Sequence, residues 1–367
     1  MEGLDMTELR AMPDPEFWAD RKVLVTGHTG FKGAWLTIWL SQMGAKVCGL
    51  SLPPNTQPNL YTAAGIDSLC NSHYCDIRDA AKTREIIHGF QPEVVLHLAA
   101  QALVHESYRQ PLDTFSVNVQ GTANVLDALR GLDSVKAVVA VTTDKVYQNL
   151  EQARAFFEDD PLGGHDPYSA SKAAAEIVVD SYRKAFLSEQ GVALASARAG
   201  NVVGGGDWSA DRLIPDAIKA WGAGRAVDIR RPDAVRPWQH VLEPLAGYLI
   251  LAQRLWREPA LAQAYNFGPE DAQVATVREV IEQCANAYGS GKIDYAQAIT
   301  GPHEARWLSL NVERARNALG VTPRWSLATT LERTMAWYLD FAKSSQAMDL
   351  CLADLNVYKN AYEDKTL

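Results

Sequence analysis

The sequence predicts an α/β protein: a doubly wound parallel, Rossmann-type sheet with a smaller C-terminal substrate-binding domain. Three observations carry this expectation. A glycine-rich turn, Thr26-Gly27-His28-Thr29-Gly30-Phe31-Lys32-Gly33, lies between the apolar run Val23-Leu24-Val25 and the largely apolar stretch 34–40. Apolar runs of strand length then alternate with helical stretches to about residue 200, the pattern of right-handed βαβ units. Several of these runs, such as 94–100, are apolar without alternation, as strands covered on both faces are.

The 367 residues are enough for one large or two smaller domains. Composition is that of a globular protein, 47% hydrophobic and 22% charged, with a net charge of −9. An acidic chain argues against a nucleic acid or a membrane surface as the main partner. No apolar run approaches the length of a membrane span and no signal peptide precedes the first strand, so the expectation is a cytoplasmic protein. Five cysteines, with no C-x-x-C pair, point to reduced structural thiols and to no metal site.

The chain divides as follows. Residues 1–20 form a polar N-terminal arm that docks late. Residues 21–203 form the dinucleotide-binding domain, to which 236–268 return. Residues 204–235 and 269–345 form the smaller domain, and 346–367 a tail without a place. In the first unit, Gly27, Gly30 and Gly33 permit a tight turn, close approach of a pyrophosphate, and close packing of helix on strand. The following helix start offers free N–H groups and a positive dipole end to phosphates. The spacing is G-x-x-G-x-x-G, not the G-x-G-x-x-G of ordinary dehydrogenases. The second strand, Lys46 to Ser51, ends on Ser51 where an acidic residue usually holds the ribose of NAD. Lys32 adds a cation suited to a 2′-phosphate, so the residues leave NAD and NADP both open. Asp76, ending a short strand at 73–77, either accepts a hydrogen bond from an adenine amino group or caps the helix 80–90. His97, inside an apolar strand, reads as a hydrogen-bonded core histidine.

Downstream, a helix spans 118–130, with Asn118 near its start, and a strand spans 135–143. That strand ends on Thr142-Thr143-Asp144-Lys145, where a doubly wound sheet places ligands. Tyr168 and Lys172 stand at i and i+4 on a helix over 169–187 and share one face. A lysine ammonium and an oxidised nicotinamide both favour the tyrosinate, lowering a pKa ordinarily near 10 and fitting the phenol for general base work. A strand over 195–203 bears Arg198 and Asn201. Arg225, Arg230, Arg231 and Arg236 make a basic cluster in an acidic protein, suited to a diphosphate through paired planar hydrogen bonds. Helices follow at 242–256 and 276–288, with a strand at 264–268 and a polar loop at 301–307.

Taken together, GHTGFKG (27–33), TDKVY (143–147), YSASK (168–172), RAGNVVGGGDW (198–208), RPWQHVLEPLAGYLILAQ (236–253), NFGP (266–269) and PHEARW (302–307) resemble the extended short-chain dehydrogenase/reductase superfamily. Within it the chain is similar to the nucleotide-sugar 4,6-dehydratases of the CDP-glucose branch, from about Lys22 to Asp340. Lys145 stands where the dTDP branch carries glutamate. The resemblance implies bound NAD, CDP-glucose as substrate, a cytoplasmic homodimer through helices near 105–130 and 168–187, and a product feeding the deoxysugars of surface polysaccharide such as O-antigen. It implies cofactor contacts from Gly27, Thr29, Gly30, Phe31, Lys32 and Gly33 in the turn, from Asp76 and Ile77, and from Leu98, Ala99, Ala100 and Asn118. It implies catalysis by Thr143, Asp144, Lys145, Tyr168 and Lys172, with the last two also touching NAD. Arg198, Asn201, Arg236, His303 and Arg306 are the implied substrate contacts. The residues alone leave open a nucleotide-sugar 4-epimerase, a dehydratase for another nucleotide, and a non-catalytic NAD-binding regulator.

Overall fold

The structure, a computed structural model, describes residues 11–270, 274–296 and 305–361. Seven strands make the central sheet: β1 (Lys22–Thr26), β2 (Lys46–Ser51), β3 (Asn71–Tyr74), β4 (Val94–His97), β5 (Ala137–Val141), β6 (Ala193–Ala199) and β7 (Ala264–Phe267). Their order is β7-β6-β5-β4-β1-β2-β3 and every neighbouring pair is parallel. The chain winds outward from β1 to β3, returns across the sheet to β4, and winds outward the other way. The reversal leaves a crevice beyond the carboxyl ends of β1 and β4, which is where a doubly wound sheet binds its ligand. The predicted fold class is therefore the observed one.

Strand residues alternate between two apolar layers because side chains alternate across a sheet. Val23, Val25, Val94, Leu96, Val139 and Ala195 face the layer containing helices Phe31–Gln42 and Leu242–Arg257. Leu24, Val95, Val138 and Leu194 face the other layer, with Ile86, Val125, Leu126 and Val179 from helices Ala80–Phe90, Thr122–Ala128 and Pro167–Tyr182. Both faces are covered, so the strands read as continuous apolar runs.

Of the N-terminal arm, residues 11–20 are described and dock on the body: Asp14 caps a short helix, Pro15–Trp18, whose Phe17 and Trp18 are buried, and Phe17 packs edge-on against Trp256. Four expectations change in detail. Asp79, not Asp76, caps the helix 80–90 by accepting from the Lys82 N–H. The strand expected over 195–203 stops at Ala199 and resumes only at Val202–Val203. Asn118 lies in a wide helical turn, Ser116–Gly121, between helices Pro111–Phe115 and Thr122–Ala128, and not at a helix start. The tail includes a helix, Ala347–Asn360, that packs against the 31–42 helix, and its Tyr358 hydroxyl donates to Glu243 at 2.8 Å.

Outside the central sheet lie helix Leu213–Gly222, strand Val227–Ile229 paired with Ile293–Tyr295, and the antiparallel pair Val235–Arg236 with Ala275–Thr276. Thr276 and Glu279 form a reciprocal capping box at the start of helix Val277–Tyr288. Helix Leu327–Ala342 packs on that helix and on the short strands 202–203 and 239–240.

Candidate active site

The glycine turn is shaped for close approach. Gly27 has φ 78°, and a Cβ there would meet the Ala99 nitrogen at 2.8 Å. A Cβ on Gly33 would stand 2.1 Å from the Gly27 carbonyl oxygen, so the helix starting at Phe31 abuts the turn only because residue 33 has no side chain. Gly30 is the N-cap of that helix and supplies no side-chain cap, which leaves first-turn N–H groups for an anion. Ala99 and Ala100 border the turn as small residues after β4. This cradle fits the pyrophosphate of a dinucleotide. Thr29 does not offer its hydroxyl there: its Oγ1 pairs with Ser51 Oγ and donates to the Leu52 carbonyl, both at 2.8 Å. Asp76 pairs with Arg78, which also reaches Asp113. Ile77 packs on Gly121, and its carbonyl accepts from Asn124. The Asn118 side chain is spent on protein partners, the Gln101 backbone and Ser171 Oγ, so it shapes the 98–101 loop instead of projecting into the crevice.

A cavity of about 310 Å³ adjoins the crevice, lined among others by Thr143, Asp144, Lys145, Tyr168, Asn201 and Arg236. The structure thus brings most of the predicted catalytic set together. Asp166 caps helix Pro167–Tyr182 by accepting from the Ser169 N–H at 2.9 Å, with Pro167 in the first turn. That start places Tyr168 at the cavity wall. One turn on, Lys172 Nζ donates to the Val141 carbonyl at 3.1 Å, at the end of β5. A further turn on, the Glu176 carboxylate accepts from Thr142 Oγ1 (2.5 Å), Ser196 Oγ (2.7 Å) and Arg198 Nη2 (2.8 Å). Helix and strand end are thereby locked to one another.

Thr143 Oγ1 donates to Asp144 Oδ1 at 2.9 Å, while Asp144 Oδ2 is buried with no hydrogen-bond partner. Burial pushes the Asp144 pKa up, against the opposing pull of Lys145, the Thr143 bond, Arg236 and Lys32. Such a carboxyl is suited to hold a proton and give it up. The Tyr168 phenol is pushed up to about 12, first by burial and further by Asp144, with the Thr143 hydrogen bond and Arg212 pulling it down. The expected lowering by Lys172 is not what the protein alone shows, because burial outweighs the cations present. Burial likewise lowers Lys172 to about 8, with Glu176 opposing.

Other predicted residues take different places. Lys32 lines the cavity, where its charge meets Arg212, Asp144, Lys172 and Asp207, and burial brings its pKa down to about 8. It therefore stands away from the Ser51 end, and the argument for a 2′-phosphate falls with it. Arg198 is buried beneath the site, paired with Glu176 and donating to the Tyr147 hydroxyl and the Glu158 carbonyl, so it does not reach a substrate. The Arg306 carbonyl accepts from the Val235 N–H, which holds this segment beside the 235–236 strand with the Arg306 side chain exposed outside the cavity lining. His303 lies outside the described residues. Sequence reasoning missed Arg212 and Asp207, which pair at 2.9 Å in the cavity wall. The signal was present, since Asp207 belongs to the GGGDW stretch and Arg212 follows it by five residues.

Fold, cradle and cavity together define an enzyme of the nucleotide-sugar-modifying short-chain dehydrogenase/reductase type. Residues 24–334 match the family model described as GDP-mannose 4,6 dehydratase, and the chain belongs to that family. It is 43% identical over 356 residues to CDP-glucose 4,6-dehydratase of Salmonella typhimurium, covering 95% of this chain and 99% of that one. It is 29% identical over 334 residues to dTDP-glucose 4,6-dehydratase of Streptomyces griseus, covering 86% and 93%. Among solved structures, the dTDP-glucose 4,6-dehydratase DesIV of Streptomyces venezuelae, determined with NAD bound, superposes with a TM-score of 0.76 at 25% identity, covering 89% of this chain and all of that one.

Proposed function

We propose that this protein dehydrates CDP-glucose to CDP-4-keto-6-deoxyglucose, with NAD as its bound cofactor. The observation that carries the reading is the buried Thr143–Asp144 pair beside Lys145 and Tyr168, because C4 oxidation alone has no use for a second carboxyl whose pKa burial raises. The identity to the Salmonella enzyme supports the substrate. Bound NAD supplies the hydride acceptor for C4 and the donor for C6. Tyr168 takes the C4 hydroxyl proton, and Thr143 hydrogen-bonds the C4 oxygen. Tyr168, near 12 in the protein alone, would ionise more readily beside the positive charge of an oxidised nicotinamide. Lys172 holds the nicotinamide ribose.

The ketone at C4 acidifies the C5 proton, since its loss gives an enolate. Lys145 removes it, and Asp144 protonates the C6 hydroxyl, which leaves as water. Asn201, Arg230, Arg231 and Arg236 meet the diphosphate. An epimerase would use Tyr168 and Lys172 but would leave Asp144 and Lys145 without work.

The enzyme acts as a cytoplasmic homodimer in the supply of deoxysugars for surface polysaccharide. No helix among the described residues is long and apolar enough to cross a membrane. Dimerisation is supported by exposed apolar side chains on the two expected helical regions: Leu112 is 85% and Ile177 62% exposed, and Tyr108, Phe115 and Phe186 are exposed as well. Residues 21–203 with 236–268 hold NAD, and 204–235 with 269–345 hold the nucleotide sugar.

The test is incubation with a panel of nucleotide hexoses, reading product masses. A CDP-glucose product lighter by one water is expected; a product of unchanged mass would point to epimerisation instead. In heavy water, Lys145→Ala is expected to oxidise C4 without exchanging the C5 proton. Normal exchange would place the base elsewhere.

A further inference from the structure

The proposed reading leaves the nucleobase without a residue that selects it. Near the reacting groups the cavity is charged: Arg236 acts electrostatically on Asp144, and Arg212 on Tyr168. Immediately after Arg212 the lining becomes apolar, with Leu213, Ile214 and Pro215 from one helix and Val227 and Ile229 from the strand packed against it. Apolar walls of this kind suit the faces of a flat ring, and a nucleobase held there needs a polar partner for its edge.

Asp216 stands in that lining. It lies in the first turn of helix Leu213–Gly222 and its N–H donates to the Arg212 carbonyl at 3.0 Å. Its side chain is half-buried, and its carboxylate accepts no hydrogen bond from a described residue. Burial lifts its pKa above the usual carboxylate range; Lys219 and Arg230 oppose the shift, and Asp211 and Asp207 add to it. A half-buried carboxylate without a protein donor is left unpaired when a ligand covers it, unless the ligand brings a donor of its own.

We propose that Asp216 selects cytosine by accepting a hydrogen bond from its exocyclic N4 amino group. Uracil and thymine present O4 at that position, an acceptor facing an acceptor with no proton between them. The carboxylate then loses its water and receives nothing in return, so the penalty falls on the wrong base. Asp228 also lines the cavity, but its side chain is exposed and keeps its water, which makes it the weaker discriminator. This inference rests on the reading of the cavity as a nucleotide-sugar site.

The experiment compares kcat/KM for CDP-glucose and UDP-glucose in the wild type, Asp216→Asn and Asp228→Asn, with calorimetric binding of CMP and UMP alongside. The wild type is expected to prefer the cytidine ligands in both. Asparagine is isosteric and can turn its NH2 toward O4, so Asp216→Asn is expected to lower the preference on the order of 10–100-fold, mainly through KM. Asp228→Asn is expected to keep the wild-type ratio. An unchanged ratio in folded Asp216→Asn, a shift in Asp228→Asn instead, or a wild type without base preference would overturn the inference. If the wild type turns over neither sugar yet binds CMP over UMP, and Asp216→Asn abolishes that difference, the base site stands and the reaction assignment falls.

Discussion

Replacing Glu176 with glutamine should both destabilise the protein and narrow its pH range. The wild-type carboxylate, 4% exposed, takes hydrogen bonds from Thr142, Ser196 and Arg198 and is the counter-charge of a guanidinium that is also 4% exposed. The hydroxyls can reorient toward an amide, but the Arg198 guanidinium keeps its charge and loses its ionic partner. Removing one member of a buried pair costs about 3–5 kcal/mol. Burial raises the Glu176 pKa, but the Arg198 bond and charge and the two hydroxyl bonds outweigh it and hold the group below the usual range. A depressed folded-state pKa means that the stabilisation is complete above the unfolded value of about 4.3 and is lost as pH falls through the folded one. Urea denaturation should therefore show the full gap between variant and wild type at pH 7 and a shrinking gap below about pH 4. Glu176 also opposes the lowering of Lys172, which stands at about 8. Without it Lys172 loses its charge at lower pH, so the alkaline limb of the rate profile should move toward neutrality. A destabilisation under about 1 kcal/mol at pH 7, or an alkaline limb that stays in place, would refute the reasoning.

Tyr168→Phe should keep the fold and bound cofactor and lose about 10²–10⁴-fold in turnover; a variant retaining half the wild-type rate at saturating substrate would remove the tyrosine from the chemistry. Arg236→Ala should weaken CDP binding by about 1.5–3 kcal/mol in calorimetry, whereas unchanged affinity in a folded variant would take this arginine out of the diphosphate site. Ile177→Asp, at an exposed apolar helix position, should convert a dimer to a monomer by light scattering; a wild type that is already monomeric would end the proposal of a homodimer.

Much of the fold was legible because its strands are covered on both sides and so carry unbroken apolar runs, and because Gly27 and Gly33 occupy positions where a Cβ would collide with the backbone. The Tyr168–Lys172 spacing was legible because one helix fixes it. What escaped was the fate of charged side chains whose partners are set by tertiary packing. Arg198 read as a substrate contact, yet it meets Glu176 on a neighbouring helix and never reaches the cavity. Lys32 read as a ribose-side cation, yet its side chain lies among Asp144, Asp207 and Lys172. Asp76 read as a possible cap of the 80–90 helix, yet it pairs with Arg78 and the cap is Asp79, three residues further on. The 347–360 helix had no reading because its sequence is mixed in character, and its place is set by buried contacts such as Tyr358 with Glu243.

The central claim is that one site oxidises C4, eliminates water across C5 and C6, and returns the same hydride to C6. The most direct measurement follows deuterium from CDP-glucose labelled at C4, in ordinary water with no added reductant, by NMR of the product. The account predicts deuterium at C6 of a 4-keto-6-deoxy sugar. Label remaining at C4 of a hexose with an inverted hydroxyl, or lost to a free reduced cofactor, would contradict it.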